Sequence, residues 1–274
     1  MRLLLLNCVY GAPEHFDSLR AGLAPEIETQ VFSLRREGLA DPAGRDAFAP
    51  LVDRLDRAIE SFAPATGDPP ALFGFSLGGA LALEYALAHP DRVASLVLVN
   101  AFGRYSQGSL HAASAPALRG WPPAWSPPAL TARIVHRVVW MRRGLFHADA
   151  PLEAIERGVR AAVGSTTHDD VRFQLAHLDL AVPEGHAARL AEAAERIPML
   201  LISSRDDLVV PPHHTEWLAG AMPRAMRLPP FEGGHAFFQH DARALAGAVR
   251  QFLGVGSPGA LREFLGVDSP LPRA

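Results

Sequence analysis

The chain has 274 residues, of which 49% are hydrophobic and 20% charged, and its formal net charge is −3. That length and balance read as one large globular domain, or a domain carrying an insertion, with a core that stands without staples. The charge excludes an overall field that would gather nucleic acid. The single cysteine, Cys8, excludes an internal disulfide framework and fits a reducing compartment, and the absence of lysine excludes Schiff-base chemistry and a Ser-Lys dyad.

The opening "MRLLLLNCVYGA" holds an apolar run too short for a secretory h-region, and it breaks at Asn7. Residues 3–6 read instead as a buried strand. No later stretch is long and apolar enough to span a membrane, so a cytoplasmic protein is expected. A helix is predicted over 16–23 and an alternating strand over 27–34. Leu51, Leu55, Ile59 and Phe62, at helical spacing, predict a helix over 49–62 that stops before Pro64, Gly67, Pro69 and Pro70. Residues 71–75 follow as a buried strand, 77–89 as an alanine-rich helix ended by Pro90, and 93–99 as another buried strand. Strand and helix alternate, which is the pattern of a parallel sheet covered on both faces.

The alternation stops near Gly103. Through 104–196 no apolar strand run occurs. A proline-rich crossing segment gives way to helical patterns at 130–146, 152–163, 169–180 and 185–196. The sheet pattern then resumes with a strand over 198–203, a helix over 213–221, a proline-weakened strand within 225–231 and a helix over 241–253. In the tail "FLGVGSP" recurs as "FLGVDSP", too little for a repeat architecture, and a short helix is expected at 259–265. The expected organisation is an α/β core of residues 1–103 and 197–253, a helical insertion over 104–196 and a tail over 254–274.

The stretch Gly74-Phe75-Ser76-Leu77-Gly78 falls between a predicted strand and a predicted helix. A sharp strand-to-helix turn would push the Ser76 hydroxyl out of the sheet. Glycines two residues before and after it would remove side chains that collide there. The Leu77 N–H, at the helix start, faces the same space and suits an oxyanion. The bland alternative is a small-residue contact between strand and helix. A serine nucleophile needs a base and an orienting acid. "SRDDLVVPP" offers Asp206 and Asp207 just after an apolar strand, and "FEGGHAFF" offers His235 on a glycine-flanked loop. His213 and His214 read as surface residues at a helix start. His240 lies five residues after His235, but no Cys/His/Glu cluster supports a metal, so none is expected. Cys8 has no motif histidine near it and is not read as a nucleophile.

Serine, acid and histidine in this order, each after a strand, resemble the α/β-hydrolase family over nearly the whole chain. The resemblance implies a mostly parallel central sheet flanked by helices, with an inserted all-helical lid. The family's D-x-x-V-P register falls on Asp207-Leu208-Val209-Val210-Pro211 and implies Asp207 as the acid, which leaves Asp206 as a turn or cap residue. Where members often carry H-G-x-x-G, this chain has Asn7-Cys8-Val9-Tyr10-Gly11. That register implies the Val9 N–H as the second oxyanion donor beside Leu77, with Asn7 holding the loop through its amide. The first strand falls at the start of the sequence, whereas many relatives carry one or two before it, and "FSLRREG" stands where D-x-R-G-x-G is common.

In the family a helical block at this position is a lid that sets substrate choice. Trp121, Trp125, Trp140, Met141 and Phe146 are therefore the candidate substrate-binding residues, against the alternative that they pack the lid itself. Within 130–146, Arg133, His136, Arg137 and Arg143 share a face with Trp140, a surface suited to a phosphate-bearing acyl carrier, to coenzyme A or to a membrane; a solvated lid helix is the plain alternative. The resemblance implies a serine esterase or thioesterase that needs no cofactor. Its substrate would be a small acyl compound, with coenzyme A or an acyl carrier protein as candidate carriers. An acyltransferase, a cyclase or a C–C bond hydrolase would use the same triad. "GGHAFF" is similar to the histidine motif of editing thioesterases from polyketide and peptide assembly lines. A non-catalytic small-molecule receptor on the same fold is the reading from a different class.

Overall fold

Six parallel strands form one sheet in the order β2-β1-β3-β4-β5-β6, in a computed structural model that describes residues 1–42, 47–63, 67–103, 151–179, 185–239 and 242–255. The strands are β1 (Arg2–Leu6), β2 (Glu28–Phe32), β3 (Ala71–Phe75), β4 (Leu96–Val99), β5 (Met199–Ile202) and β6 (Met226–Arg227). The α-helices among the described residues are α1 (Asp17–Leu23), α2 (Ala49–Phe62), α3 (Leu77–Ala88), α4 (Leu152–Ser165), α5 (His168–Ala176), α6 (His186–Arg196), α7 (His213–Ala221) and α8 (Arg243–Phe252).

The central strands are apolar at every position because both faces are covered. Leu4, Leu6, Leu72, Leu96, Leu98 and Leu201 pack on one side with α2, α3, α6 and α7. Leu3, Leu5, Phe73, Phe75, Val97 and Ile202 pack on the other with α1 and α8. Phe238 closes that second layer, stacked on Phe16 and edge-on to Phe73 and Phe75.

Most predicted elements stand where the pattern puts them, and the departures lie at their ends. The strand expected over 27–34 stops at Phe32, where the Arg54 guanidinium takes the carbonyls of Ser33 and Arg35. The strand expected over 93–99 is regular only from Leu96. The helix expected over 169–180 tightens into a 3₁₀ turn at His177–Asp179. The weakest strand shrinks most: β6 is two residues long, because Pro229 and Pro230 have no N–H to give the ladder. Phe231 then rejoins through a bridge to Ser204.

Between β4 and β5 in the chain lie α4, α5 and α6. Helix α6 packs against α3 and puts Leu190 and Ala193 into the core of the sheet. Helix α5 is bound to the loop after β2: Asp170 Oδ1 accepts the Arg36 N–H at 2.7 Å, and Gln174 Nε2 donates to the Leu34 carbonyl at 2.6 Å. The helices expected at 130–146 and 259–265 lie outside the described residues.

Candidate active site

Strand order reverses between β1 and β3, and such a switch point opens a crevice beyond the carboxyl ends of the strands. All the candidate residues that the structure describes follow the carboxyl end of a strand. Ser76 follows β3 directly. Its N–H still donates to the Val99 carbonyl at 3.0 Å, while its own backbone turns to φ 55°, ψ −121°. A non-glycine residue at positive φ is strained, at about 1–3 kcal/mol. The two flanking glycines make the turn feasible. A Cβ on Gly74 would lie 2.5 Å from the Gly79 Cα, and one on Gly78 would lie 2.4 Å from the carbonyl oxygens of both Leu6 and Asn7. The start of α3 is thus pressed against the end of β1, and the Leu77 N–H lies in the first turn, where no intrahelical acceptor exists.

Residues 7–11 form the facing turn. Asn7 Oδ1 accepts the Cys8 N–H at 2.9 Å and Asn7 Nδ2 donates to the Ala12 carbonyl at 2.7 Å, so the amide does hold the loop. The Gly11 N–H donates to the Cys8 carbonyl at 3.0 Å, closing a β-turn with Val9 and Tyr10 at its centre. Because the Cys8 carbonyl points into that turn, the Val9 N–H on the same peptide points out of it. Burial pushes the Cys8 thiol up to about 12, so it holds almost no thiolate at neutral pH and fills the glycine position as a small apolar group.

Asp207 and His235 meet at 2.7 Å between Oδ2 and Nδ1, both buried. The carboxylate can only accept, so Nδ1 carries the proton and Nε2 is the basic nitrogen. Asp207 Oδ1 accepts the N–H groups of Val209 and Val210 at 2.7 and 2.8 Å, which fixes the carboxylate plane. The His235 ring lies 4.8 Å from that of Phe75, the neighbour of Ser76. Asp206 points the other way: its Oδ1 accepts the Gly233 and Gly234 N–H groups at 3.0 and 2.9 Å and the Ser204 hydroxyl at 2.8 Å. Burial alone would raise the Asp206 carboxyl, but the bonds from Gly234, Ser204 and Gly233 outweigh it and hold the carboxyl below its ordinary value.

Sequence reasoning missed Asn100. It follows β4 at φ 45°, is fully buried, donates from Nδ2 to the His235 carbonyl at 2.7 Å and accepts the Ser204 N–H on Oδ1 at 2.7 Å. Its signal was an asparagine closing an apolar run, a residue type that tolerates this conformation. His15 was also missed; its Nε2 lies 2.9 Å from the Gly158 carbonyl of α4. His214 corrects the surface reading: His213 is exposed, but the next position of α7 faces inward beside Phe102. Burial, then the charge of His213, lowers the His214 imidazole to about 4. Trp121, Trp125, Trp140, Met141, Phe146 and His240 lie outside the described residues. Among the described residues no group of His, Cys, Asp and Glu could hold a metal ion, and no helix is long and apolar enough to cross a membrane.

Residues 3–248 match the profile of the alpha/beta hydrolase family. The chain belongs to that family. The hydrolase is 27% identical over 259 residues to a pimeloyl-[acyl-carrier protein] methyl ester esterase of Neisseria meningitidis serogroup C, covering 89% of this chain and 90% of the relative. It is 29% identical over 254 residues to a Pseudomonas syringae pv. syringae protein assigned as the carbamate hydrolase RutD, covering 87% and 82%. Its fold is similar to that of the esterase RhEst1 from Rhodococcus sp. ECU1013, with a TM-score of 0.71, 22% identity and coverage of 93% and 90%.

Proposed function

We propose that this hydrolase cleaves carboxylic esters or thioesters through an acyl-enzyme on Ser76. The observations that carry the reading are the buried Asp207–His235 pair, whose ring lies 4.8 Å from that of Phe75, and the next residue, Ser76, held at positive φ on a strand-to-helix turn. In this reading Ser76 Oγ attacks the acyl carbon and His235 Nε2 takes its proton. Asp207 keeps the imidazole in the Nδ1–H tautomer and stabilises the imidazolium. The Val9 and Leu77 N–H groups bind the oxyanion, worth roughly 10²–10³ in rate for each such donor. His235 then passes the proton to the leaving group, and water, activated by the same ring, releases the acid. No cofactor takes part.

The relative named for a methyl ester on an acyl carrier protein supports an acyl group presented on such a carrier. The insertion over residues 104–196 is proposed as the lid, with Trp121, Trp125, Trp140, Met141 and Phe146 against the acyl chain.

The test is intact mass after exposure to a fluorophosphonate, followed by turnover of p-nitrophenyl esters and acyl-coenzyme A thioesters. One adduct on the wild type and none on Ser76→Ala is expected, with turnover of the variant lower by roughly 10³–10⁶ and folding unchanged. Activity that survives Ser76→Ala sinks the assignment. Tight small-molecule binding without an adduct would favour a receptor.

A further inference from the structure

Three segments carry the proposed triad, and two successive residues at the end of β4 bond to all of them. The Val99 carbonyl accepts the Ser76 N–H at 3.0 Å, which refers the main chain of the nucleophile to β4. The next residue, Asn100, donates from Nδ2 to the His235 carbonyl and accepts the Ser204 N–H on Oδ1, each at 2.7 Å. Ser204 begins the turn that ends at Asp207, whose N–H donates back to the Ser204 carbonyl at 3.4 Å. Asn100 is itself held in the sheet, since its own N–H donates to the Ile202 carbonyl at 2.9 Å.

The residue type suits the junction. Asn100 has a φ of 45°, which asparagine tolerates better than most side chains do. Its amide offers a donor and an acceptor in one plane, where an ionised carboxylate only accepts and an aliphatic side chain does neither. Asn100, Ser204 and His235 are all buried, so bulk water does not make good a bond lost among them.

The other polar contacts of the base do not set its place against Ser76. The Asp207 bond, the bonds from Asp206 to the Gly233 and Gly234 N–H groups, and the Ser204–Phe231 bridge all join the histidine segment to the acid turn. They are internal to the pair and would travel with it. Gly233 and Gly234, at φ 119° and 70°, give the chain just before His235 wide freedom. Phe75 meets the imidazole through an apolar contact, which is non-directional. The Asn100 bond, by contrast, ends on the His235 carbonyl, whose carbon is bonded to the Cα that bears the ring.

We infer that Asn100 is a positioning residue for the Asp207–His235 pair: its amide ties the main chain of the base and the start of the acid turn to the strand end that holds Ser76, and so sets where the imidazole stands against the nucleophile. This rests on the serine-hydrolase reading above.

A residue that acts only through the base loses its effect once the base is gone. The experiment is a cycle of wild type, Asn100→Gly, His235→Ala and the double variant, with Ser76→Ala alongside. Each is measured for kcat and KM on p-nitrophenyl butyrate and for melting temperature. Glycine accepts the backbone angle of position 100 and removes both bonds. Asn100→Ala, which also removes both bonds but keeps the chain stiffer when unfolded, goes through the same cycle. In the chain that retains His235, both substitutions are expected to lower kcat about 10–100-fold with KM within about twofold, the scale of a misplaced catalytic group. With His235→Ala in place, replacing Asn100 is expected to change the residual turnover by no more than about twofold, even where the melting temperature falls. Equal losses with and without His235 overturn the inference, because the effect then does not pass through the base. A wild-type kcat in a folded Asn100 variant overturns it as well. Should one substitution prevent folding, the other decides; if neither protein folds, Asn100 serves the fold and not the base, and the inference falls. Failure of the underlying reading looks different, because turnover would then survive Ser76→Ala or His235→Ala with Asn100 intact.

Discussion

Between Asp206 and Asp207 the backbone turns, and the two carboxylates face different partners. Asp207 meets the His235 ring, and Asp206 gathers the two glycine N–H groups that precede it. In the proposed mechanism, removing the first would affect chemistry and removing the second would affect the shape of the loop. Asp207→Asn is expected to lower kcat about 10⁴-fold with little change in stability, because the wrong tautomer is then favoured. Asp206→Ala is expected to lower stability by about 1–3 kcal/mol, since buried donors lose their acceptor, with a much smaller loss of kcat. Urea unfolding and steady-state kinetics on the two variants check both halves, and a reversal would exchange the roles. Ser76 and His235 could be read from sequence because their neighbours are glycines with one geometric purpose. Asn100 and Gln174 could not, because their partners lie more than a hundred residues away and nothing near them signals it.

At the scale of elements, the apolar strands and α3 were plain in the sequence because burial on two faces leaves no alternation to misread. The ends were obscure because they are set by single contacts from elsewhere: Arg54 ends β2, and Pro229 and Pro230 cut β6 to two residues. The end of β1 and the start of α3 are in close contact at the site. A methyl group on Gly78 would meet two backbone carbonyls, which cannot swing aside as a side chain can. Gly78→Ala is therefore expected to cost about 3–5 kcal/mol, at the upper end for a single substitution. Guanidinium unfolding measures it, and a loss under 1 kcal/mol would mean that the two elements can separate without harm.

For the whole molecule, buried histidines set the response to acid. Burial lowers the imidazoles of His15, His177 and His214, in the last case to about 4. Each is neutral when folded and takes up a proton more readily when unfolded. Their contribution is complete above the ordinary histidine value near 6.5 and is lost as pH falls from there to the folded value. The melting temperature is expected to drop by several degrees between pH 7 and pH 4.5, before the depressed carboxyls of Asp170 and Asp206 begin to protonate. His214→Phe should flatten that slope. A melting temperature constant across this range would show that the three rings are solvated.

The chain's one cysteine sits in the turn after β1, buried, with its thiol held up at about 12. At neutral pH so little of such a thiol is thiolate that maleimides, iodoacetamide and mild oxidants are expected to react with it only slowly. A second cysteine introduced on the exposed face of any helix would then be the group such reagents find first. The native sequence is already, in effect, the cysteine-free background that single-site fluorophore or spin labelling requires, with no residue of the candidate site altered to obtain it.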